Sequence, residues 1–207
     1  MIQHPNFIFL HFPKMAGTKI EQIFKDYFLD IPGLIMDPVD DGPPTWHDSI
    51  SDRQARDRLF GVRDRVIVTG FRRLPGWLAS RAAFESQRSG IPWREDLIRG
   101  AQFLEADGDT VGHADLYARH WLPPGMVARE RVQFIRLESF EPDFRQVLGQ
   151  WLPVQRVPGA ALRSRSNATE GDPALARAIY DGRQPIYNAC PWWRVLESKA
   201  YPTGTDR

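Results

Sequence analysis

Three short runs of strand-forming residues, each followed by a segment with helical spacing, constrain the fold of this chain more than any other feature. The runs lie at residues 6–12, 65–71 and 132–137. Each is apolar at successive positions, which is typical of a strand buried on both faces of a parallel sheet. Helical spacing follows at residues 18–28, 75–87 and 142–151. This alternation predicts an α/β fold with a central parallel β-sheet flanked by helices.

The segments between these units are predicted from turn-forming residues and apolar spacing. Loops are expected at residues 31–46, which are rich in Pro, Gly and Asp, and at residues 153–171, an extended basic stretch. Further helices are expected at residues 51–59, around 93–104, at 114–121 and at 173–187, the last ending near Pro185. No internal repeat is visible, so we predict a single domain over residues 1–207 with a flexible tail at about 200–207.

The charge balance predicts that any anion-binding site is local. Lys and Arg total 27 against 26 for Asp and Glu, so the formal net charge is +1. A chain with this balance is not expected to coat nucleic acid or to bind an anionic membrane surface. Nucleic acid and membrane are therefore excluded from the predicted partners.

The cysteine content and the early apolar run point to a cytoplasmic enzyme. Cys190 is the single cysteine, so it cannot form an internal disulfide, and we expect a buried, inert thiol. The run at residues 7–12 is broken by His11 and stopped by Pro13. It is too short to span a membrane and lacks the basic start of a secretion signal.

The loop at residues 11–19 has the physical features of a phosphate cradle. Ligands of parallel sheets bind beyond the carboxyl ends of the strands, where this loop leaves the first strand. Gly17 allows close backbone approach, Lys14 offers a mobile cation, and the following helix directs its positive end at the same point. Thr18 is predicted to cap that helix, with Glu21 completing a capping box. The nucleotide-triphosphatase pattern Gly-x-x-x-x-Gly-Lys-Ser/Thr is absent from the sequence.

The segment Phe-Pro-Lys-Met-Ala-Gly-Thr at residues 12–18 resembles the loop of sulfotransferases that use PAPS (3′-phosphoadenosine 5′-phosphosulfate). In that family the loop cradles the 5′-phosphosulfate of the donor. The resemblance implies a sulfotransferase fold with a P-loop-like sheet. It also implies that the donor contacts Lys14, Met15, Ala16, Gly17, Thr18 and Lys19.

A second resemblance to the same family follows the second strand. There an Arg, a proline turn and a Ser eight residues after the Arg hold the 3′-phosphate of the donor, and Arg72 and Ser80 have that spacing. Guanidinium binds a phosphate dianion in a bidentate manner, and serine adds a hydrogen bond. The proline departs from the family pattern, because Pro75 lies three residues after Arg72 and not two. Arg73 therefore stays an alternative, although the position of Trp77 relative to Ser80 favours Arg72.

The resemblance also implies a catalytic base and a late loop over the donor. Carbohydrate sulfotransferases of the bacterial and 2-O type place a His before the second strand, and His47 fits that role; Glu85 is an alternative base. The basic loop at residues 163–169 resembles the donor-covering loop of the family, with Arg165 as the expected donor contact. Glu138, after the third strand, is assigned mainly a structural role.

The expected activity is transfer of a sulfuryl group from PAPS to an acceptor hydroxyl on a carbohydrate or small metabolite, without a metal ion. Lys14 would neutralise the leaving group and His47 would remove the acceptor proton. A small P-loop-like kinase and a non-catalytic PAPS-binding module remain alternatives. His113 and His120 are interpreted as core or acceptor-site residues on one face of a helix, because a metal site would need more ligands.

Overall fold

The fold is described from a computed structural model, which describes residues 1–37, 45–62, 64–129, 131–164 and 172–202. Its described residues form two compact units. The first unit contains the described residues of 1–71 and 125–166, and the second contains those of 72–124 and 167–207. Each unit is described by itself.

The strands and helices are numbered in chain order. The strands are β1 (Ile2–Gln3), β2 (Phe7–Leu10), β3 (Ile35–Met36), β4 (Val66–Phe71), β5 (Gln102–Leu104), β6 (Val111–His113) and β7 (Val132–Arg136). The helices are α1 (Gly17–Tyr27), α2 (Ile50–Arg56), α3 (Leu74–Ser89), α4 (Glu95–Arg99), α5 (Ala114–Trp121), α6 (Pro124–Arg129), α7 (Phe140–Leu148), α8 (Gly159–Arg163), α9 (Pro173–Asp181), α10 (Arg183–Ala189) and α11 (Pro191–Ala200). None of these helices is long and apolar enough to cross a membrane.

The first unit contains a mixed sheet with the strand order β3-β1-β2-β4-β7. Strands β2, β4 and β7 are parallel, whereas β1 pairs antiparallel with both β2 and β3. The α/β class is confirmed, but the prediction of a parallel sheet is correct only for the three longer strands. The two antiparallel strands have two residues each, too few for the periodicity of a strand to be seen in the sequence.

One face of this sheet carries the main core of the first unit. Phe7 and Phe9 of β2 lie beside Val66 and Val68 of β4 in register. These side chains pack in a buried cluster with apolar residues of α1 and α7 that include Ile20, Phe24 and Phe144. Burying a side chain of this size contributes roughly 1.5 to 3 kcal/mol, so the cluster fixes β2 and α1 on either side of the loop that joins them.

The second unit packs helices α3, α5 and α11 around buried tryptophans. The rings of Trp77 and Trp193 lie 4.8 Å apart, and Phe103 of β5 meets Trp77 at 5.7 Å. Strands β5 and β6 form an antiparallel hairpin. The helix predicted around residues 93–104 is therefore wrong beyond Arg99. Ala101 adopts a left-handed φ of 57°, which ends α4 and starts the hairpin.

Two further predictions are corrected in the later part of the chain. The helix predicted at residues 173–187 is divided at Gly182 into α9 and α10, and Pro185 lies in the first turn of α10, where proline needs no N–H donor. The stretch predicted as an extended loop from residue 153 contains α8. Helix α11 reaches Ala200, so the predicted tail starts at its end, and residues 203–207 of that tail lie outside the described residues.

Candidate functional site

The loop between β2 and α1 has an unusual backbone. Lys14 and Ala16 both adopt left-handed conformations, with φ values of 64° and 61°, whereas Met15 between them does not. Alternation of this kind is typical of backbone concavities that bind anions. One N–H group of the loop already has a partner, because that of Met15 donates to the carbonyl oxygen of Phe12 at 3.2 Å. Each left-handed residue other than glycine costs about 1 to 2 kcal/mol, so the surrounding structure must hold this loop in place.

The start of α1 differs from the predicted cap. The helix begins at Gly17, its N-cap residue is Ala16, and no described side chain caps it. Thr18 is therefore already inside the helix, and Glu21 is paired with Lys25 at 2.9 Å instead of completing a capping box. The prediction of a Thr18 cap is wrong because the left-handed Ala16 starts the helix two residues earlier. Ala16, as the N-cap residue, therefore makes no side-chain hydrogen bond to the first N–H groups of α1.

Two glycines hold this loop against the rest of the first unit. A Cβ atom on Gly17 would overlap the imidazole ring of His11, and a Cβ atom on Gly70 of β4 would overlap the carbonyl oxygen of Met15. The side chain of Met15 is fully buried. The loop is thus pressed onto β4 and onto its own first residue, which explains how the left-handed conformations are maintained.

The two lysines of the loop region have different surroundings. Lys14 is half-buried in the loop itself. The ammonium group of Lys19 donates hydrogen bonds to the carbonyl oxygens of Leu162 at 2.5 Å and Ser164 at 2.7 Å. It also lies 4.1 Å from the ring centroid of Phe140. Burial lowers the pKa of Lys19. Lys19 therefore ties α1 to the end of α8, which leaves Lys14 as the lysine placed within the cradle.

His47 lies beside the first residue of the loop. It ends the 3₁₀ turn Thr45–His47, and its ring stacks on Trp46 at 3.9 Å. The ring of His11 meets both at right angles, with centroid distances of 4.6 Å to His47 and 4.3 Å to Trp46. Burial, and then the charge of His47, lower the pKa of His11 well below its usual value. The structure thus joins the predicted base to the predicted cradle through His11, a residue that the sequence analysis did not select.

The turn that carries His47 is anchored by the start of α2. Ser49 is the N-cap of this helix and forms a reciprocal capping box with Asp52. Asp48 is buried against Arg56 at 3.3 Å, and burial raises the pKa of Asp48. The pattern Ser-x-x-Asp at residues 49–52 is a sequence signal for this helix start, and it was missed.

The turn after β4 separates the two candidate arginines. Arg73 is the N-cap residue of α3, and its guanidinium lies 4.2 Å from the ring centroid of Tyr201. The Nε atom of Arg72 lies 3.8 Å from the position that a Cβ atom on Gly76 would occupy. Ser80 is one helical turn beyond Gly76 on the same face of α3. This geometry favours Arg72 over Arg73 as the partner of Ser80.

The start of α3 already has a carboxylate partner. The N–H group of Leu74 donates to Glu197 of α11 at 2.6 Å, and the hydroxyl of Tyr187 donates to the same carboxylate at 3.1 Å. An anion near this helix start would therefore depend on the Arg72 and Ser80 side chains more than on backbone N–H groups. The distance of Glu197 from Leu74 in the sequence explains why it was not predicted.

Glu85, the alternative base, is a buried structural residue in the second unit. Its side chain is 1% exposed and pairs with Arg81 at 2.8 Å. Arg81 also contacts Glu105 at 2.7 Å and the hydroxyl of Tyr117 at 2.8 Å. A substrate hydroxyl would have to displace this network to reach Glu85, which argues against Glu85 as the base.

The other selected residues lie away from the loop or outside the described residues. His113 is not in a helix but caps α5, where its Nδ1 accepts from the N–H group of Asp115 at 3.1 Å, and His120 is exposed. Glu138 lies in the 3₁₀ turn Leu137–Ser139. Cys190 is buried, as predicted, and burial raises the pKa of its thiol to about 12. Arg165 lies outside the described residues, and the described residues contain no cluster of metal ligands.

Comparison of the chain with protein-family models, with curated proteins and with solved structures finds no match. The functional interpretation therefore depends on the geometry of the chain and on the resemblance of its loop.

Proposed function

We propose that this chain is a sulfotransferase that moves a sulfuryl group from PAPS to an acceptor hydroxyl on a carbohydrate or small metabolite. The observation that carries the proposal is the β2–α1 loop. Lys14 and Ala16 are left-handed around Met15, and the start of α1 has no side-chain cap among the described residues. Backbone N–H groups arranged in this way favour the oxygens of a phosphosulfate.

The proposed reaction is an in-line displacement at sulfur, by analogy with phosphoryl transfer. The acceptor oxygen forms a bond to sulfur while the bond between sulfur and the phosphate oxygen breaks, which releases PAP (3′-phosphoadenosine 5′-phosphate). His47 takes the acceptor proton as general base. Lys14 and the loop N–H groups meet the negative charge that develops on the leaving phosphate.

The proposal assigns the 3′-phosphate of the donor to Arg72 and Ser80. Its support is the position of Arg72 over Gly76, one turn from Ser80, together with the engagement of Arg73 by Tyr201. The contact expected from Arg165 remains a prediction. The carbohydrate acceptor is proposed from the resemblance of the His47 arrangement to carbohydrate enzymes.

Calorimetry with PAP, in buffer that contains a chelator, tests this proposal directly. We expect micromolar binding of PAP. Titration of ATP with Mg²⁺ in a parallel experiment distinguishes a kinase, which should prefer that ligand. A folded protein that binds ATP–Mg²⁺ and ignores PAP would overturn the sulfotransferase proposal. PAP binding without any transfer or hydrolysis of PAPS would favour a non-catalytic binding module.

A further inference from the structure

We propose that His11 is a positioning residue that sets the placement of His47 relative to the phosphate loop. The effect of His11 on catalysis rests on the proposed function, whereas its contacts with Gly17 and His47 do not depend on that function. His11 is the residue after β2, and only 5% of it is exposed. It is therefore held at the junction between the sheet and the loop.

The first side of His11 faces the start of α1. The Cδ2, Nε2 and Cε1 atoms of its ring are the atoms that a Cβ on Gly17 would overlap. The ring thus lies directly against the residue at which the loop becomes a helix. Any movement of the ring displaces the first turn of α1, since close-packed interiors leave no space for independent adjustment.

The second side of His11 faces the candidate base. Its ring meets the ring of His47 at 4.6 Å and an interplanar angle of 89°, and the indole of Trp46 stacks on His47 at 3.9 Å while also lying 4.3 Å from His11. His47 therefore contacts the rings of both His11 and Trp46, which also contact each other. Because His11 contacts both Gly17 and His47, one side chain determines the spacing between the anion cradle and the base.

The charge state of His11 suits this role. Burial, the neighbouring His47 and the α-amino group of Met1 all lower the pKa of His11. Its ring stays neutral near pH 7 and can pack against His47 without repulsion between two imidazolium ions. The positive end of α1 at Gly17 also disfavours protonation of His11.

The structural test follows a perturbation from Gly17 to His47 by NMR in the free protein. His47→Asn identifies the His47 imidazole among the five histidine signals. We expect Gly17→Ala to shift the His47 signal in the wild-type background and to leave it in place in a His11→Ala background. His4→Ala is the matched control, since His4 is a buried histidine of the same unit that stacks on Phe7. His4→Ala should shift neither the NMR signal of the Gly17 amide nor that of the His47 imidazole.

The kinetic test uses hydrolysis of PAPS to PAP and sulfate, with water as the acceptor. We expect His11→Ala to reduce kcat roughly 10- to 100-fold, because a misplacement of about 1 Å has an effect of this size. The Kd for PAP should change less than about threefold. If His11→Ala does not fold, His11→Gln, which retains a nitrogen atom but no ring, replaces it in both tests.

The outcomes separate this inference from the proposed function. A His47 signal that shifts equally with and without the His11 ring, or that ignores His11→Ala, overturns the positioning role. Equal losses in kcat and PAP affinity also overturn it, since they indicate a general structural defect. Failure of the wild-type protein to bind PAP overturns the sulfotransferase proposal, while the NMR result still decides whether His11 couples Gly17 to His47.

Discussion

The turn after β2 and the turn after β4 leave neighbouring parallel strands, yet they present positive charge in different ways. The first turn uses its backbone, with left-handed Lys14 and Ala16 and an uncapped helix start among the described residues. The second turn uses side chains. The N–H group of Leu74 is already bonded to Glu197, so the cations proposed to bind an anion there are guanidinium groups.

This difference indicates where each turn is sensitive to substitution. A backbone cradle tolerates the exchange of most side chains but depends on the residues that press it into shape, such as Gly17 and Gly70. A side-chain anchor depends on a single group and loses its function when that group is removed. Substitutions in the first turn and substitutions in the second turn should therefore change different measured quantities, and by different amounts.

The largest expected effect is that of Lys14→Ala, the one side chain that the backbone cradle is proposed to need for the chemical step. We expect kcat for PAPS hydrolysis to fall about 10²- to 10³-fold, as when a group that stabilises transition-state charge is removed. The Kd for PAP should change much less, because the loop N–H groups remain. Steady-state kinetics together with calorimetry measures both quantities.

Lys19→Ala is the matched control for Lys14→Ala. The Lys19 ammonium is bonded to the carbonyl oxygens of Leu162 and Ser164, so its loss should lower stability more than turnover. Full turnover in Lys14→Ala would remove the basis for the proposed mechanism.

The second-largest effect is expected at the point where the loop backbone closely approaches β4. Gly70→Ala should reduce the free energy of unfolding by about 2 to 3 kcal/mol, because its methyl group meets the carbonyl oxygen of Met15 and forces the loop away from β4. Gly61→Ala is the control, since no atom lies within 4 Å of its added Cβ. Denaturant unfolding measures both variants. Equal stability of the two would show that the loop is not pressed onto β4.

The elements that the sequence predicted well are those whose evidence is local. Strands β2, β4 and β7 were predicted within two residues because they are short and apolar, and α5 was predicted at its observed bounds. In contrast, the β5–β6 hairpin was missed because the left-handed Ala101 ends α4 in the middle of a stretch with helical spacing. A left-handed alanine has no sequence signature.

The candidate site divides in the same way. Lys14 and Gly17 were selected from one short motif and Arg72 from a second, and the residues of each motif lie close together in the sequence. His11 and Glu197 were missed, because their importance comes from contacts with residues that are distant in the sequence, such as His47 for His11. No spacing rule relates a strand end to a 3₁₀ turn more than thirty residues later, and only packing reveals it.

The third expectation concerns the side-chain anchor. Arg72→Ala should weaken PAP binding about 10- to 100-fold, which corresponds to a charge-assisted bond to phosphate. Arg73→Ala is the matched control, and it should have less than about threefold effect on binding because its guanidinium packs on Tyr201. If the two variants exchange these effects when measured by calorimetry, Arg73 is the phosphate ligand and the proline-based alignment of the motif is the correct one.

The smallest expected effect is a difference in acid sensitivity between the two turns. The first turn contains His11, whose pKa in the folded protein is lowered well below 6.5, mainly by burial. Between that lowered pKa and 6.5 the unfolded chain binds more protons than the folded chain. Stability must therefore fall as the pH falls through this window, with a slope of at most about 1.4 kcal/mol per pH unit. Arginines remain charged at these pH values, so the second turn adds no such slope.

Comparison of wild type with His11→Gln measures the contribution of His11 together with its electrostatic coupling to His47. Burial also lowers the pKa values of His4 and His113, and both variants retain these residues, so their contributions cancel in the difference. Denaturant unfolding between pH 5.5 and 7.5, a range chosen to extend about one unit to either side of the His reference pKa, should give a shallower decline for His11→Gln. Parallel curves for wild type and His11→Gln would mean that the His11 ring takes up protons as readily in the folded loop as in the unfolded chain, and the acid-sensitive element would then have to be sought outside this turn.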